Sequence, residues 1–371
     1  LLLAAAVYHW AQRTWGGAAG LLALGLFIFD PNIVAHAQLN TTDIGVTAFG
    51  FMGCCALVCY LRRSQVITYL AAGLLLGAAL ASKASGPFWL TAAALVILLH
   101  IEVRQHPRQI LRGIKVALLR LLGLAGLALL VLWAAYGFEL RPLTPDGVPI
   151  PAASHWAGLP YIRSYLTTGQ NTFLAGRLIV GHHWGYFPLV LLIKTPLATW
   201  GGLLLALVWS LRHRARLCRD AIILLVVPLA YLVVAMLTAL YIGYRHLLPL
   251  LPFLFVFIAQ LAGKQAMGLF HQLTYQIVLG LLMLWYVIGA VQVFPHYLAY
   301  FNELVGGPDG GYRYLADSSV DWGQALKTLR EYVGQHHIET YRLAAFSSLD
   351  PTLYGLQFDP LPPTAGAPVT L

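Results

Sequence analysis

Apolar runs of about 20 residues recur from one end of this chain to the other, the length a helix needs to cross a hydrocarbon layer. In that medium the backbone must satisfy its own polar groups, so each run is predicted to be helical. Only 10% of the 371 residues are charged, against about 25% in soluble domains. These features identify an integral, multi-pass, all-α membrane protein. The formal net charge of +9 does not indicate nucleic acid, because the basic residues cluster in short loops between runs.

Ten apolar runs are predicted spans: 1–8, 16–29, 44–61, 66–82, 85–99, 116–136, 187–211, 221–241, 247–262 and 274–294. Between the first two, 9–15 is predicted to be a loop. Numbering the loops alternately sorts the charges. One set carries Arg13, Arg62, Arg63, Arg104, Arg108, Arg112, Lys115, Arg212, Arg214, Arg216, Arg219 and Lys264, with only Glu102 and Asp220 as acids. The positive-inside rule makes this side cytoplasmic. The other set carries the remaining acids and is predicted to face outward. Cys54, Cys55 and Cys59 share one apolar run and Cys218 lies in a basic loop. That spacing suits neither a disulfide framework nor zinc, and small packing residues are expected.

The outer side carries the unusual chemistry. Residues 28–46, IFDPNIVAHAQLNTTDIGV, contain two carboxylates, a histidine and two asparagines, with no Lys or Arg. They read as a short loop at the membrane surface. Thr41 or Thr42 is predicted to cap the next helix, and Asp43 falls in its first turn, where the dipole favours negative charge. The same loop suits a catalytic carboxylate facing a polar reactant at the bilayer edge. Lys83 in SKASGP, Arg245 in YIGYRHLLP and Lys194 in LLIKTP are cations on this face. Even at mid-helix a charge costs only about 2.5–3.5 kcal/mol, and near the edge it can snorkel to headgroups. Three cations with an acidic loop on one face nonetheless point to an anion-handling site.

The outer stretch 137–186 exceeds the length of idle loops and is rich in Trp, Tyr, Phe and Pro, so it is predicted to fold against the membrane. Near its end His182 and His183 are adjacent. They read as interfacial rings, and a metal role would need an acid from elsewhere. From residue 295 the chain is less apolar. Gly306 to Gly311 reads as a linker, Trp322, Leu326, Leu329 and Val333 form one helical face from Asp321 onward, and TYRLAAFSS reads as a strand. The expected division is a transmembrane core over 1–294 and a small extracytoplasmic α/β region over 295–371. The chain opens on Leu inside an apolar run and ends in LPPTAGAPVTL, so a piece of a longer protein, truncated at both ends, is expected.

Five blocks resemble, in order, the lipid-linked-sugar glycosyltransferases of the C-type membrane superfamily, in the bacterial branch similar to protein O-mannosyltransferases. They are PNIVAHAQLNTTD, GLLLGAALASKASGPFWL, GHHWGYFPLVLLIKTPL, YRHLLPLLPF and HYLAYFNELVGGPDGGYRYLADSSVDWGQ. The resemblance implies a helical bundle in a bacterial plasma membrane. It implies transfer of a sugar, mannose or a related hexose, from a polyprenyl-phosphate carrier to a protein or glycolipid acceptor on the outer face, with inversion. In such enzymes an acidic motif in the first outer loop acts as base. That loop is expected to precede this sequence, and Asp43 matches the acid of the second motif.

On that reading Asp43 and His36 are the catalytic candidates and could hold a divalent cation. Arg245 and Lys83 would bind the donor phosphate. Tyr244, His246, Lys194, His182 and His183 are second-rank candidates. The partners are the sugar lipid, the acceptor and membrane lipid. The competing readings are a transporter or flippase of an anionic or glycosylated lipid, with Arg120 as the charge away from the outer face, and a ligase moving a whole glycan.

Overall fold

The structure, a computed structural model, describes residues 1–101, 107–144, 146–168, 171–212, 218–263, 269–343, 345 and 350–359. Of the predicted inner-loop charges, Glu102, Arg104, Arg214, Arg216 and Lys264 lie outside these residues. The chain is helical almost throughout, as its composition dictates. α1 (Leu2–Trp15) continues through the stretch predicted to be a loop, and the chain reverses only at Gly16, whose φ of 107° favours glycine. α2 (Gly17–Ile28) and α3 (Pro31–Gln38) meet at a 58° bend. The polar stretch after α2 is therefore largely a short helix and not a surface loop.

Asp30 starts α3: its Oδ1 accepts from the amides of Asn32 and Ile33 at 2.9 Å, and Pro31 follows as the first helical residue. α4 (Asp43–Arg63) begins at Thr42, whose side chain makes no cap bond. The threonine cap expected there is not formed, and Asp43 itself occupies the first turn.

α5 (Val66–Ser82) and α6 (Phe88–Leu99) pack on α4, and α7 (Pro107–Ala135) packs on α5, in large part through small residues. A Cβ at Gly50 would strike Trp89, one at Gly53 would press on Leu76, and Gly73 and Gly77 admit Leu127 and Val131 in the same way. Two short hairpins follow: β1 (Leu140–Arg141) pairs with β2 (Ile150–Pro151), and β3 (Thr172–Leu174) pairs with β4 (Arg177–Ile179), both antiparallel. Between them lie α8 (Ala153–Ala157) and α9 (Leu159–Thr168).

α10 (Tyr186–Lys194) and α11 (Leu197–Arg212) are separated by a 103° bend at Thr195-Pro196. α12 (Arg219–Met236) leads to a 3-10 segment, Tyr244–Leu250, and then α13 (Leu251–Ala259). Every residue of α13 but Leu254 is buried, so this is the central helix of the bundle. α14 (Leu269–Gln292) lies at the periphery, with Leu273, Ile277, Leu281, Leu284 and Ile288 exposed along one side. An apolar face of that extent needs lipid.

Among the described residues five helical stretches are long and apolar enough to cross a membrane, or up to seven if each bent pair is one span. The sequence predicted ten. The difference lies in helix length: α5 and α6 are apolar, but their 17 and 12 residues reach only ~26 and ~18 Å at the helical rise, short of a ~30 Å hydrocarbon layer.

The break before Pro196 explains how the tail joins the bundle. Proline lacks an amide proton, so the last carbonyls of α10 have no helical donor. Asn302 supplies most of what is missing: its backbone amide bonds the Ile193 carbonyl at 2.9 Å, and its Nδ2 bonds those of Leu192 (2.7 Å) and Thr195 (2.8 Å). Asn32 Nδ2 takes the Lys194 carbonyl at 2.8 Å. The Lys194 ammonium is buried here too. It donates to the carbonyls of Leu298 and Ser319, both at 2.7 Å, and lies 4.4 Å over the ring of Phe301.

Beyond these anchors come α15 (Pro308–Gly311) and α16 (Leu326–Gln335). α16 starts five residues later than the pattern from Asp321 suggested, because 321–325 are turns. Residues 341–343 form only a single bridge, Arg342 to Asp359, in place of the predicted strand. Residues 344 and 346–348 of that strand lie outside the described residues.

Replacing the lysine, as in Lys194→Met, leaves two buried carbonyls without a donor. At about 1–3 kcal/mol for each buried group so stranded, the expected result is a lower thermal midpoint in detergent and faster proteolytic cleavage within 295–322. Unchanged cleavage and midpoint would mean that the ammonium does not hold the tail.

Candidate active site

α4 and α5 are antiparallel neighbours joined by a two-residue turn, so the start of α4 meets the end of α5. That topology brings Asp43, in the first turn of α4, to Lys83, just past the last residue of α5, and the two form an ion pair. Each charge also suits its helix end, negative at an N-terminus and positive at a C-terminus. The turn after Lys83 is tight. The Gly86 amide bonds the Lys83 carbonyl at 2.8 Å, and a Cβ at Gly86 would lie 2.5 Å from the Leu80 backbone.

A second ion pair, between Arg62 and Asp220, marks the other end of α4, where Trp10 Nε1 and Thr14 Oγ1 also approach the Asp220 carboxylate at 3.2 Å. With 21 residues in α4, the two polar ends are ~32 Å apart by helical rise. Burial lowers the Lys83 ammonium below the ordinary lysine value, and the Asp43 carboxylate pulls it partly back.

Arg245 arrives from the 3-10 segment. Gly243, at φ 75°, turns the chain into it, and three residues per turn then send consecutive side chains ~120° apart. Tyr244 points into the core, its hydroxyl 2.8 Å from Thr195 Oγ1. Arg245 is half-buried, with Nε donating to the Ile242 carbonyl at 3.0 Å. His246 is buried, its ring near those of Phe187 and Tyr231.

These groups converge. The charges of Asp43, Lys194, Arg245 and Lys83 all act on His36 in α3, and those of Lys83, Asp43 and Arg245 act on His246. Both histidines carry a buried Nδ1 with no hydrogen-bond partner. Such buried orphans are costly unless something else satisfies them.

Next to this cluster a cavity of about 330 Å³ runs between the Lys83 turn, the start of α6 and the end of α12. His246, Ser85 and Tyr231 line it together with Phe88, Val234, Ala235 and Leu240, so polar groups share it with a mostly apolar wall. Nothing in the sequence points to Ser85 or Tyr231 at this position, because the residues that assemble here come from separate elements.

Asp43, His36, Lys83, Arg245 and His246 are thus brought together. Lys194 acts on the same field, and its ammonium is directed to two carbonyls of the tail. Tyr244 likewise faces Thr195. His182 and His183 lie elsewhere, on an exposed rim. His182 Nε2 is 2.9 Å from the Met236 carbonyl, and the His183 amide bonds the Tyr241 hydroxyl. A divalent cation finds a poor donor set in Asp43 and His36, since the one carboxylate is already paired with an ammonium and a second cation acts on it. Among the described residues no group of three or more His, Cys, Asp or Glu is placed to hold a metal.

Residues 1–133 match the family model described as dolichyl-phosphate-mannose-protein mannosyltransferase. Comparison with curated proteins and with solved structures gives no significant match. The matched stretch contains Asp43, His36, Lys83 and Ser85, while Arg245 and His246 lie beyond it. Over those 133 residues this multi-pass membrane protein is similar to the dolichyl-phosphate-mannose-protein mannosyltransferases.

Proposed function

We propose that the chain transfers a glycosyl residue from a polyprenyl-phosphate-linked sugar to an acceptor hydroxyl at the extracytoplasmic face, with inversion at the anomeric carbon. The observation that carries this reading is the convergence of Asp43, Lys83, Arg245 and His246 beside a mostly apolar cavity. A polyprenyl phosphate has the matching anatomy, an anion joined directly to a hydrocarbon tail. The apolar wall formed by Phe88, Val234 and Leu240 suits the first isoprene units, and the cations suit the phosphate.

In the reaction the acceptor oxygen attacks the anomeric carbon opposite the phosphate. The carbon–oxygen bond to phosphate breaks and its electron pair leaves with the phosphate. Lys83 and Arg245 stabilise that charge as it develops, Arg245 with a planar fork suited to phosphate oxygens. Asp43, fixed by Lys83, orients the acceptor hydroxyl and draws its proton. The acceptor is a protein or a glycolipid, and mannose or a related hexose is the sugar the family match favours.

Proteoliposomes charged with labelled polyprenyl-phosphate mannose test this. Arg245→Ala is expected to raise the donor KM and to lower kcat/KM by about 100-fold, the usual cost of removing one donor to a developing charge. Asp43→Asn is expected to lower kcat with little change in donor KM. Intact lipid moving between leaflets, with no sugar–acceptor product, would contradict the reading and favour a flippase.

The pH dependence follows from Lys83. Only the protonated ammonium holds the anion, and burial lowers its pKa. Donor affinity should therefore fall as pH rises, with a midpoint below that of an ordinary lysine. Lys83→Arg should carry affinity to higher pH, because arginine stays protonated. Identical alkaline limbs in the two proteins would remove Lys83 from the phosphate site.

A further inference from the structure

The guanidinium of Arg245 lies 4.5 Å over the indole ring of Trp322, a residue of the tail. Its Nε is tied to the Ile242 carbonyl at 3.0 Å, and the same carbonyl accepts from Ser318 Oγ at 3.1 Å. Beside them the chain is pressed against the tail at Gly243, where a Cβ would lie 2.5 Å from Ser319 Oγ. The tail is held at this height by Lys194, whose ammonium bonds the Ser319 carbonyl, and by Asn302 at the end of α10. An arginine fixed through Nε and stacked on an aromatic face has lost most of the freedom of its long side chain before any ligand arrives. What it then offers an anion is a preset fork, which lowers the ordering cost of binding.

We infer that Trp322 is a positioning residue: it stacks on Arg245 and holds the guanidinium in the orientation that receives the donor phosphate. This rests on the phosphate-site reading of Arg245 given above. It makes the tail segment 318–322 part of the binding site, although this segment lies far outside the stretch that matches the family model. Nothing in the local sequence around Trp322 announces the role, since the partner is reached only through the fold.

The test uses the full chain in nanodiscs, with undecaprenyl phosphate as the probe and its Kd as the readout. Trp322→Phe keeps a π-face, whereas Trp322→Leu keeps only apolar bulk. Trp322→Phe should bind within about twofold of wild type, and Trp322→Leu about tenfold more weakly, the scale of a partly desolvated cation–π contact. In an Arg245→Ala background Trp322→Leu should cause no further loss, because its effect passes through the arginine. Thermal midpoints of the variants, measured in parallel, separate misfolding from lost positioning.

Equal affinities for the Phe and Leu variants, or a Leu effect that persists in full without the arginine, would overturn the inference and leave the phosphate site standing. An Arg245→Ala protein that binds the probe as wild type does would overturn both.

Discussion

A charge or an open backbone carbonyl within a helical bundle in hydrocarbon must find a partner, and most of this architecture can be traced to that requirement. α10 ends at a proline and leaves carbonyls without donors. Asn302 and Asn32 supply them, and in doing so bind the tail and α3 to the same helix end. Lys194, buried at that junction, finds two more carbonyls in the tail and an aromatic ring. Asp220 is satisfied by groups from α1 and α4, and Asp43 by Lys83 across the open end of two antiparallel helices. Each of these solutions is local in energy and long-range in sequence. Together they fix which elements lie side by side.

The site holds groups that the chain itself leaves unpaired: around Asp43 and Lys83 the Nδ1 atoms of His36 and His246 are buried without hydrogen-bond partners. Two cations and one carboxylate share that space, so a positive field remains for an anion to occupy. The adjoining cavity is largely apolar, which suits the proposed ligand, an anion attached to hydrocarbon. Specificity of this kind requires no extended motif. It needs a few polar groups at the mouth of an apolar recess.

The sequence revealed the residues whose presence is expensive. Asp43, Lys83 and Arg245 stand out because a charge flanked by apolar runs is rare, and the structure brings all three together. Lys194 stands out for the same reason, but its ammonium is directed to the tail. Position along a run shows that a charge lies near one end of a span, but not that a distant tail will cover it. Asp30 was legible in part: Asp-Pro-Asn is a helix start, and it should have turned the supposed loop into α3. The count of ten spans failed where apolar runs form helices too short to cross, or bend, as at Pro196. Ser85, Tyr231 and Trp322 could not have been found from their neighbours, since each reaches the site only through packing between elements far apart in the chain.

The proposed function places a lipid-linked phosphate between Lys83 and Arg245 with its hydrocarbon in the adjoining cavity. A cryo-electron microscopy map of the protein in nanodiscs with undecaprenyl phosphate bound tests this at the atoms concerned. Phosphate density is expected within hydrogen-bonding distance of both Lys83 Nζ and the Arg245 guanidinium, and tail density along Phe88, Tyr231 and Val234. Ordered phosphate density at any other place, with the Lys83–Arg245 region empty, would contradict it.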